Sequence, residues 1–229
     1  IAFTDTEDAK LINVLTFPFA STIVTPDCFS ANVPSKKHVK YPGYHELAYL
    51  HPNWFKPDPR ILDDLNLTKD DKFIVVRFSS WDSSHDIGQK GFKSMDERID
   101  LIKTLEKYGD IFITSEIPLP KSLEKYRLTI SPERIHDLLY YATMYIGEGA
   151  TLASEAGVLG VPWVWISAGE MRGYLDDQEK SYELGYCART PQKALEIAVE
   201  LLENNDLKQE WQKKRENLLR DKIDVTKFM

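Results

Sequence analysis

The residues that decide the fold run from Met144 to Ile166 and read MYIGEGATLASEAGVLGVPWVWI. A short apolar strand leads into the small-residue loop Gly147-Glu148-Gly149-Ala150-Thr151, and Leu152 to Leu159 then favour helix through Ala, Leu and Glu. A turn at Gly160 and Pro162 starts a second apolar strand, Trp163 to Ile166. Strand, loop, helix and strand make one βαβ unit. In a parallel sheet such a loop lies at the carboxyl edge, where the helix start presents unpaired N–H groups and a partial positive charge. That is a setting for a phosphate. Gly147, Gly149 and Ala150 would let an anion approach the backbone, and Thr151 adds a hydroxyl. Glu155 lies one helical turn further on the same face, placed to reach a ribose beside that phosphate. Plain structural readings compete: any βαβ turn benefits from glycine, and an acid near a helix start is stabilising on its own. The loop matches neither the dinucleotide fingerprint nor a P-loop.

Bulk properties narrow the partners. At 229 residues and 42% hydrophobic, the chain can bury a sizeable core and could hold one large domain or a domain with part of another. A formal charge of −7 argues against nucleic acid, whose binding needs clustered Lys and Arg, but leaves room for a small phosphorylated ligand. Cys28 and Cys187 show no metal-ligand spacing and read as reduced thiols of a cytoplasmic protein. The longest apolar run, Val158 to Ile166, is broken by Gly160 and Pro162, so no transmembrane segment is expected. The opening Ile1-Ala2-Phe3-Thr4 is already strand-like and reads as entry in mid-domain, with an upstream lobe expected outside this sequence.

Along the chain, short strands are expected near 1–4, 21–25 and 37–41, with a helix over Glu7 to Leu15. Residues 1–42 then form the tail of a Rossmann-like lobe. The aromatic, proline-punctuated stretch 43–56 reads as a linker packed between lobes. The second lobe, 57–229, opens with a short helix around Arg60 to Leu65 and the buried strand Lys72 to Phe78. A polar loop, SSWDSSHDIGQKG, follows it. Loops at the carboxyl ends of such strands build the sites of open α/β sheets, so Arg77, Ser79, Ser80 and His85 are candidates for a phosphate or sugar pocket, against a plain solvated loop. His85-Asp86-Ile87-Gly88 also matches the HDIG signature of metal-dependent phosphohydrolases. Those are all-helical and need further histidines, so no metal site is assigned. Next are expected helix Met95 to Tyr108, strand Ile111 to Thr114 followed by Ser115-Glu116, strand Arg127 to Ile130, and helix Pro132 to Ala142 capped by Ser131. After the central unit come the loop Ser167 to Gly173, strand Tyr186 to Ala188, helix Thr190 to Leu202 and the amphipathic helix Leu207 to Leu219. This alternation indicates a doubly wound parallel α/β lobe.

With DTEDAKLINVLTFPFA, YPGYHELAYLHPNWFKPD, VVRFSSWDSSHDIG, ITSEIPLP, RIHDLLYYATMYIGEGATLASEAGVLGVP and IDVTKF in view, the chain resembles the family called domain of unknown function 354. More broadly it resembles the carboxyl half of GT-B proteins, the two-Rossmann-lobe architecture of nucleotide-sugar glycosyltransferases and of non-hydrolysing UDP-N-acetylglucosamine 2-epimerases. The resemblance implies a GT-B-like α/β fold, with one complete doubly wound lobe plus the tail of another. It implies that Glu148, Gly149, Ala150 and Thr151 take the phosphates, that Glu155 takes the ribose, and that Ile135 and His136 frame the base. Arg77 to Asp86, with Ser115 and Glu116 nearby, would face the diphosphate or sugar. The Ser-Gly-Gly loop and the His-Arg-x-Glu-Asn run of the epimerases are missing, which places sugar transfer from a UDP-sugar ahead of epimerisation. A non-catalytic nucleotide-sugar binding module is the reading from another class. Neither a cofactor nor a metal is implied, the acceptor is open, and His85 and Asp86 are the candidate acid and base.

Overall fold

The computed structural model describes residues 1–80, 91–169 and 171–229. Its first sheet holds three parallel strands in chain order: β1 (Ala2–Phe3), β2 (Ile23–Pro26) and β3 (His38–Tyr41). Helix α1 (Lys10–Thr16) links the first two. Short helices α2 (Leu47–Leu50) and α3 (Arg60–Asp64) lead to the second sheet. There β4 (Phe73–Phe78), β5 (Asp110–Ser115), β6 (Met144–Gly147), β7 (Trp163–Ile166) and β8 (Gly185–Ala188) lie parallel in the order β5-β4-β6-β7-β8. Helices α4 (Met95–Leu105), α5 (Ile135–Tyr141), α6 (Ala150–Leu159), α7 (Gly173–Tyr182) and α8 (Pro191–Leu202) form its crossovers and cover, followed by α9 (Leu207–Asp221) and α10 (Val225–Phe228).

The strand order reverses between β4 and β6. The chain first steps outward to β5, then returns past β4 to place β6 on its other side. Right-handed crossovers therefore send α4 to one face and α6 and α7 to the other. Accordingly, α4 neighbours α8, while α6 neighbours both α5 and α7. The reversal leaves a crevice beyond the carboxyl ends of β4, β5 and β6.

Helix α6 is enclosed, and its composition follows from that. Every residue from Ala153 to Leu159 is buried. Gly157 leaves room for a polar side chain, because a Cβ there would meet Gln178 Oε1 at 2.0 Å. Gln178 Oε1 accepts from Trp163 Nε1 at 3.1 Å, and its Nε2 donates to Ser154 Oγ at 2.8 Å. These buried polar groups thus satisfy one another. The helix ends at Gly160 in the left-handed conformation, φ 77°. Beyond it, Arg215 Nε donates to the Val158 carbonyl at 2.8 Å and Gln212 Nε2 to that of Gly160 at 3.1 Å, so α9 satisfies the orphan carbonyls of α6.

Two expectations fail locally. Arg127 to Ile130 forms no strand: Arg127 makes one bridge to Ile113, and Leu128 N–H donates to the Ile113 carbonyl at 2.9 Å. The edge of β5 is met at this one register before Pro132 turns the chain into the 3₁₀ turn Pro132–Arg134. Ser131 does not cap the next helix, since its hydroxyl donates to Glu133 Oε1 at 2.6 Å. Helix α7 follows the loop expected over Ser167 to Gly173 and is an addition to the sequence reading. Its first N–H, Gly173, donates to Glu7 Oε1 at 3.2 Å, so its cap arrives from the first sheet's loop.

The two sheets are fastened at several points. Arg172 pairs with Asp8, and Tyr44 donates to Asp177 at 2.6 Å. After α9 the chain crosses back: Ile223 N–H donates to the Pro42 carbonyl at 2.9 Å, Trp54 Nε1 donates to Asp224 at 2.8 Å, and Thr226 donates to Ala48. Lys222 sits at the crossing, with Nζ 2.8 Å from Asp177 and 3.4 Å from Asp27. Among the described residues no helix is long and apolar enough to cross a membrane. The Lys222 side chain is only 7% exposed and Asp177 19%, so removing the charge leaves a largely buried carboxylate without its cation, whereas Asp27 at 42% remains solvated. Lys222→Met is expected to lower the unfolding free energy by about 2 kcal/mol in urea titration, because a largely buried pair loses one partner. Lys180→Met, which removes an exposed pair with Asp176, is expected to change it little.

Candidate functional site

A cleft of about 520 Å³ opens at the strand reversal. The end of β4 supplies Arg77 and Ser79, the end of β5 supplies Thr114, Ser115 and Glu116, and the start of α6 supplies its floor. Leu128, Ile130 and Ile135 form an apolar wall.

The floor is set by how β6 leaves the sheet. A Cβ at Gly147 would meet the Arg77 carbonyl oxygen at 2.4 Å, so glycine is required for this close approach. Two residues on, Tyr145 ties Gly149 down: its hydroxyl donates to the Gly149 carbonyl at 2.9 Å and accepts the Gly149 N–H at 3.2 Å. Burial pushes the Tyr145 phenol up, so it stays a donor. The first helical bond of α6 runs from Ala153 N–H to the Gly149 carbonyl, 3.1 Å. The N–H groups of Ala150, Thr151 and Leu152 therefore have no acceptor among the described residues, and all three residues line the cleft.

Two charged groups flank this floor. Arg77 pairs with Glu116, which also accepts from Ser80 N–H at 3.0 Å. Burial would raise the Glu116 carboxyl, but the Ser80 amide and the Arg77 guanidinium outweigh it and hold it below its usual range. On the other side Glu155, 6% exposed, presents Oε1 to Tyr49 and His136. The Tyr49 hydroxyl donates to it at 2.8 Å, and His136 Nε2 lies 3.0 Å away. Facing a carboxylate oxygen, that nitrogen is assigned its proton.

Of the residues expected from the sequence, Arg77, Ser79, Ser115, Glu116, Ile135, Gly149, Ala150, Thr151 and Glu155 line one cleft. Gly149 lines it without a free N–H, because Tyr145 takes it. Ser80 and His136 stand outside the lining and act on Glu116 and Glu155. Glu148 is a correction. It turns away from the cleft, 3% exposed, and accepts from Ser79 N–H at 3.1 Å, Phe92 N–H at 3.2 Å and Arg98 Nη2 at 3.1 Å. The Arg98 guanidinium is flanked by Phe78 and Phe92, and such a buried cation needs a carboxylate beside it. His85 and Asp86 lie outside the described residues. Tyr49, Tyr145, Leu128 and Ile130 are additions to the sequence reading, since their spacing gives no sign of a site role and only the topology brings them here.

The pattern of the DUF354 family, proteins of unknown function, matches residues 1–225. The chain belongs to the DUF354 family. An uncharacterised protein of Methanocaldococcus jannaschii is 27% identical to it over 193 residues, which are 77% of this chain and 54% of that protein. This DUF354 chain thus spans about half the length of that relative. Among solved structures it resembles the wall teichoic acid polymerase TagF (TM-score 0.56, 16% identity, 98% of this chain and 60% of that one). It also resembles S. aureus MnaA solved with UDP (TM-score 0.55, 14% identity, 90% and 57%). A third likeness is to Os79 of O. sativa solved with UDP (TM-score 0.51, 14% identity, 86% and 49%). At these identities the likeness is one of fold, and the fold of this DUF354 chain is GT-B-like.

A buried acid beside Glu155 makes the pH response of the family member's fold testable. Burial first, then the charge of Asp5, pushes the Glu46 carboxyl up to about 8. Between its ordinary value of 4.5 and about 8 the folded chain holds this proton and the unfolded chain does not. Its share of stability is therefore full at low pH and is lost as pH rises through that window. Urea titrations are expected to show Glu46→Gln flattening the wild-type decline between about pH 5 and pH 8 by roughly 3 kcal/mol. An unchanged slope would contradict the assignment.

Proposed function

We propose that this chain holds the nucleotide end of a UDP-sugar and serves transfer of the sugar. The observation that carries this reading is the row of N–H groups at Ala150, Thr151 and Leu152 that have no acceptor among the described residues, on the cleft floor at the positive end of a ten-residue helix. A diphosphate seated there has Arg77 at its side. The apolar wall of Leu128, Ile130 and Ile135 suits a flat base, and Glu155 stands where a ribose would join the two.

In this reading the chain stabilises a departing diphosphate by preorganised backbone donors and Arg77. Arg77 is bound to Glu116, so a diphosphate would compete for it, exchanging one anionic partner for another. His85 and Asp86 remain the candidates in this chain for an acid or base toward the acceptor. The UDP in the MnaA and Os79 structures supports the choice of nucleotide by likeness of fold.

Calorimetry on the chain with UDP tests the reading. Binding is expected, and Arg77→Ala is expected to weaken UDP by about tenfold to a hundredfold, the size of a hydrogen bond to a charged group, while weakening uridine far less. No UDP binding by the wild-type chain would overturn the reading. Release of UDP from a bound UDP-sugar on adding candidate acceptors would separate a transferase from a module that only binds.

A further inference from the structure

Resting on the reading of the cleft as a nucleotide site, we propose that Tyr49 and His136 are positioning residues that make Glu155 a one-sided acceptor, selecting a ribose hydroxyl over its deoxy counterpart. A carboxylate offers two oxygens, and here both protein donors converge on one. Tyr49 donates to Oε1 at 2.8 Å and His136 Nε2 approaches the same atom at 3.0 Å. Oε2 takes no hydrogen bond from the described residues, and Glu155 lines the cleft. One oxygen therefore anchors the side chain while the other is left to the ligand.

The donors are themselves fixed. The His136 ring lies against Tyr49, centroids 5.5 Å apart, and meets the edge of Phe55 at 6.3 Å. Burial, then the neighbouring Glu155, pushes the Tyr49 phenol up, so it keeps its proton and donates. The donors come from different parts of the fold. Tyr49 lies on α2, between the two sheets, and His136 lies on α5. Two donors on Oε1 hold the carboxylate against swinging toward Arg77 and leave Oε2 to the cleft that Glu155 lines. A ligand with a hydroxyl at that point gains a charge-assisted bond, and one without it leaves Oε2 unpaired. Through Tyr49 the same carboxylate also ties ligand recognition to the segment joining the sheets.

Calorimetry on the full chain with UDP and with 2′,3′-dideoxy-UDP tests this. The wild-type chain is expected to prefer UDP by about tenfold or more, the worth of a hydrogen bond to a charged group. Tyr49→Phe is expected to cut that preference to about threefold or less while changing affinity for the dideoxy compound less than about twofold. His136→Phe, which keeps the ring contact and removes the donor, should erode the preference in the same way and serves if Tyr49→Phe folds poorly. Equal weakening of both ligands, or an unchanged preference in both variants, would overturn the positioning role while UDP binding kept the nucleotide reading intact. A wild-type chain that binds neither compound would overturn both.

Discussion

Burial of one helix on every side governs the rest of this molecule. Helix α6 lies against β6 and β7, between α5 and α7, with α9 closing its carboxyl end. Such a helix can carry only small and apolar side chains, apart from polar groups that find partners inside, as Ser154 does with Gln178. Its carbonyl end is satisfied by Gln212 and Arg215, and its amino end opens at the strand reversal. At that end the packing leaves the N–H groups of Ala150, Thr151 and Leu152 without acceptors among the described residues, facing a cleft. In the physical chemistry of helices, that is where a ligand with negative charge gains most.

Two buried carboxylates near this end are handled in opposite ways. Glu148 faces the interior and is saturated by two backbone N–H groups and the Arg98 guanidinium, so it fixes the chain after β4 against the chain after β6. Glu155 faces the cleft and, among the described residues, finds hydrogen-bond partners on one oxygen only. Burial without compensation would be costly for either. The difference in partners separates a residue that holds the fold from one that can meet a ligand. A third acid, Glu46, forms no ion pair with Lys or Arg among the described residues, and burial, with the charge of Asp5, keeps its proton on.

Much of this was legible in the sequence, and the reasons are local. The run Met144 to Ile166 carries its own punctuation, with small residues at the turn, Gly160 at the helix end and two apolar strands, so the βαβ unit and the places of Thr151 and Glu155 in it follow from that run, while Arg77 follows from the carboxyl end of the apolar strand Lys72 to Phe78. Glu148 was misjudged because its partner, Arg98, is 50 residues away and the loop alone cannot tell which way a side chain turns. Helix α7 escaped notice for a similar reason. Its residues Asp176, Asp177, Gln178, Glu179 and Lys180 look like solvated loop, its buried stripe is narrow, and its cap is Glu7 from the other sheet. Tyr49 and Tyr145 reach the site through hydroxyls whose targets are set by tertiary packing. The return of the last residues onto α2 leaves no periodic trace at all.

The central claim is that three backbone amides receive the diphosphate, and amide NMR of the uniformly labelled chain reads them one by one. Saturating UDP should move the Ala150, Thr151 and Leu152 resonances most, with Gly149 moving less because its N–H is already held by Tyr145. Those three amides staying in place while UDP binds elsewhere would contradict the account.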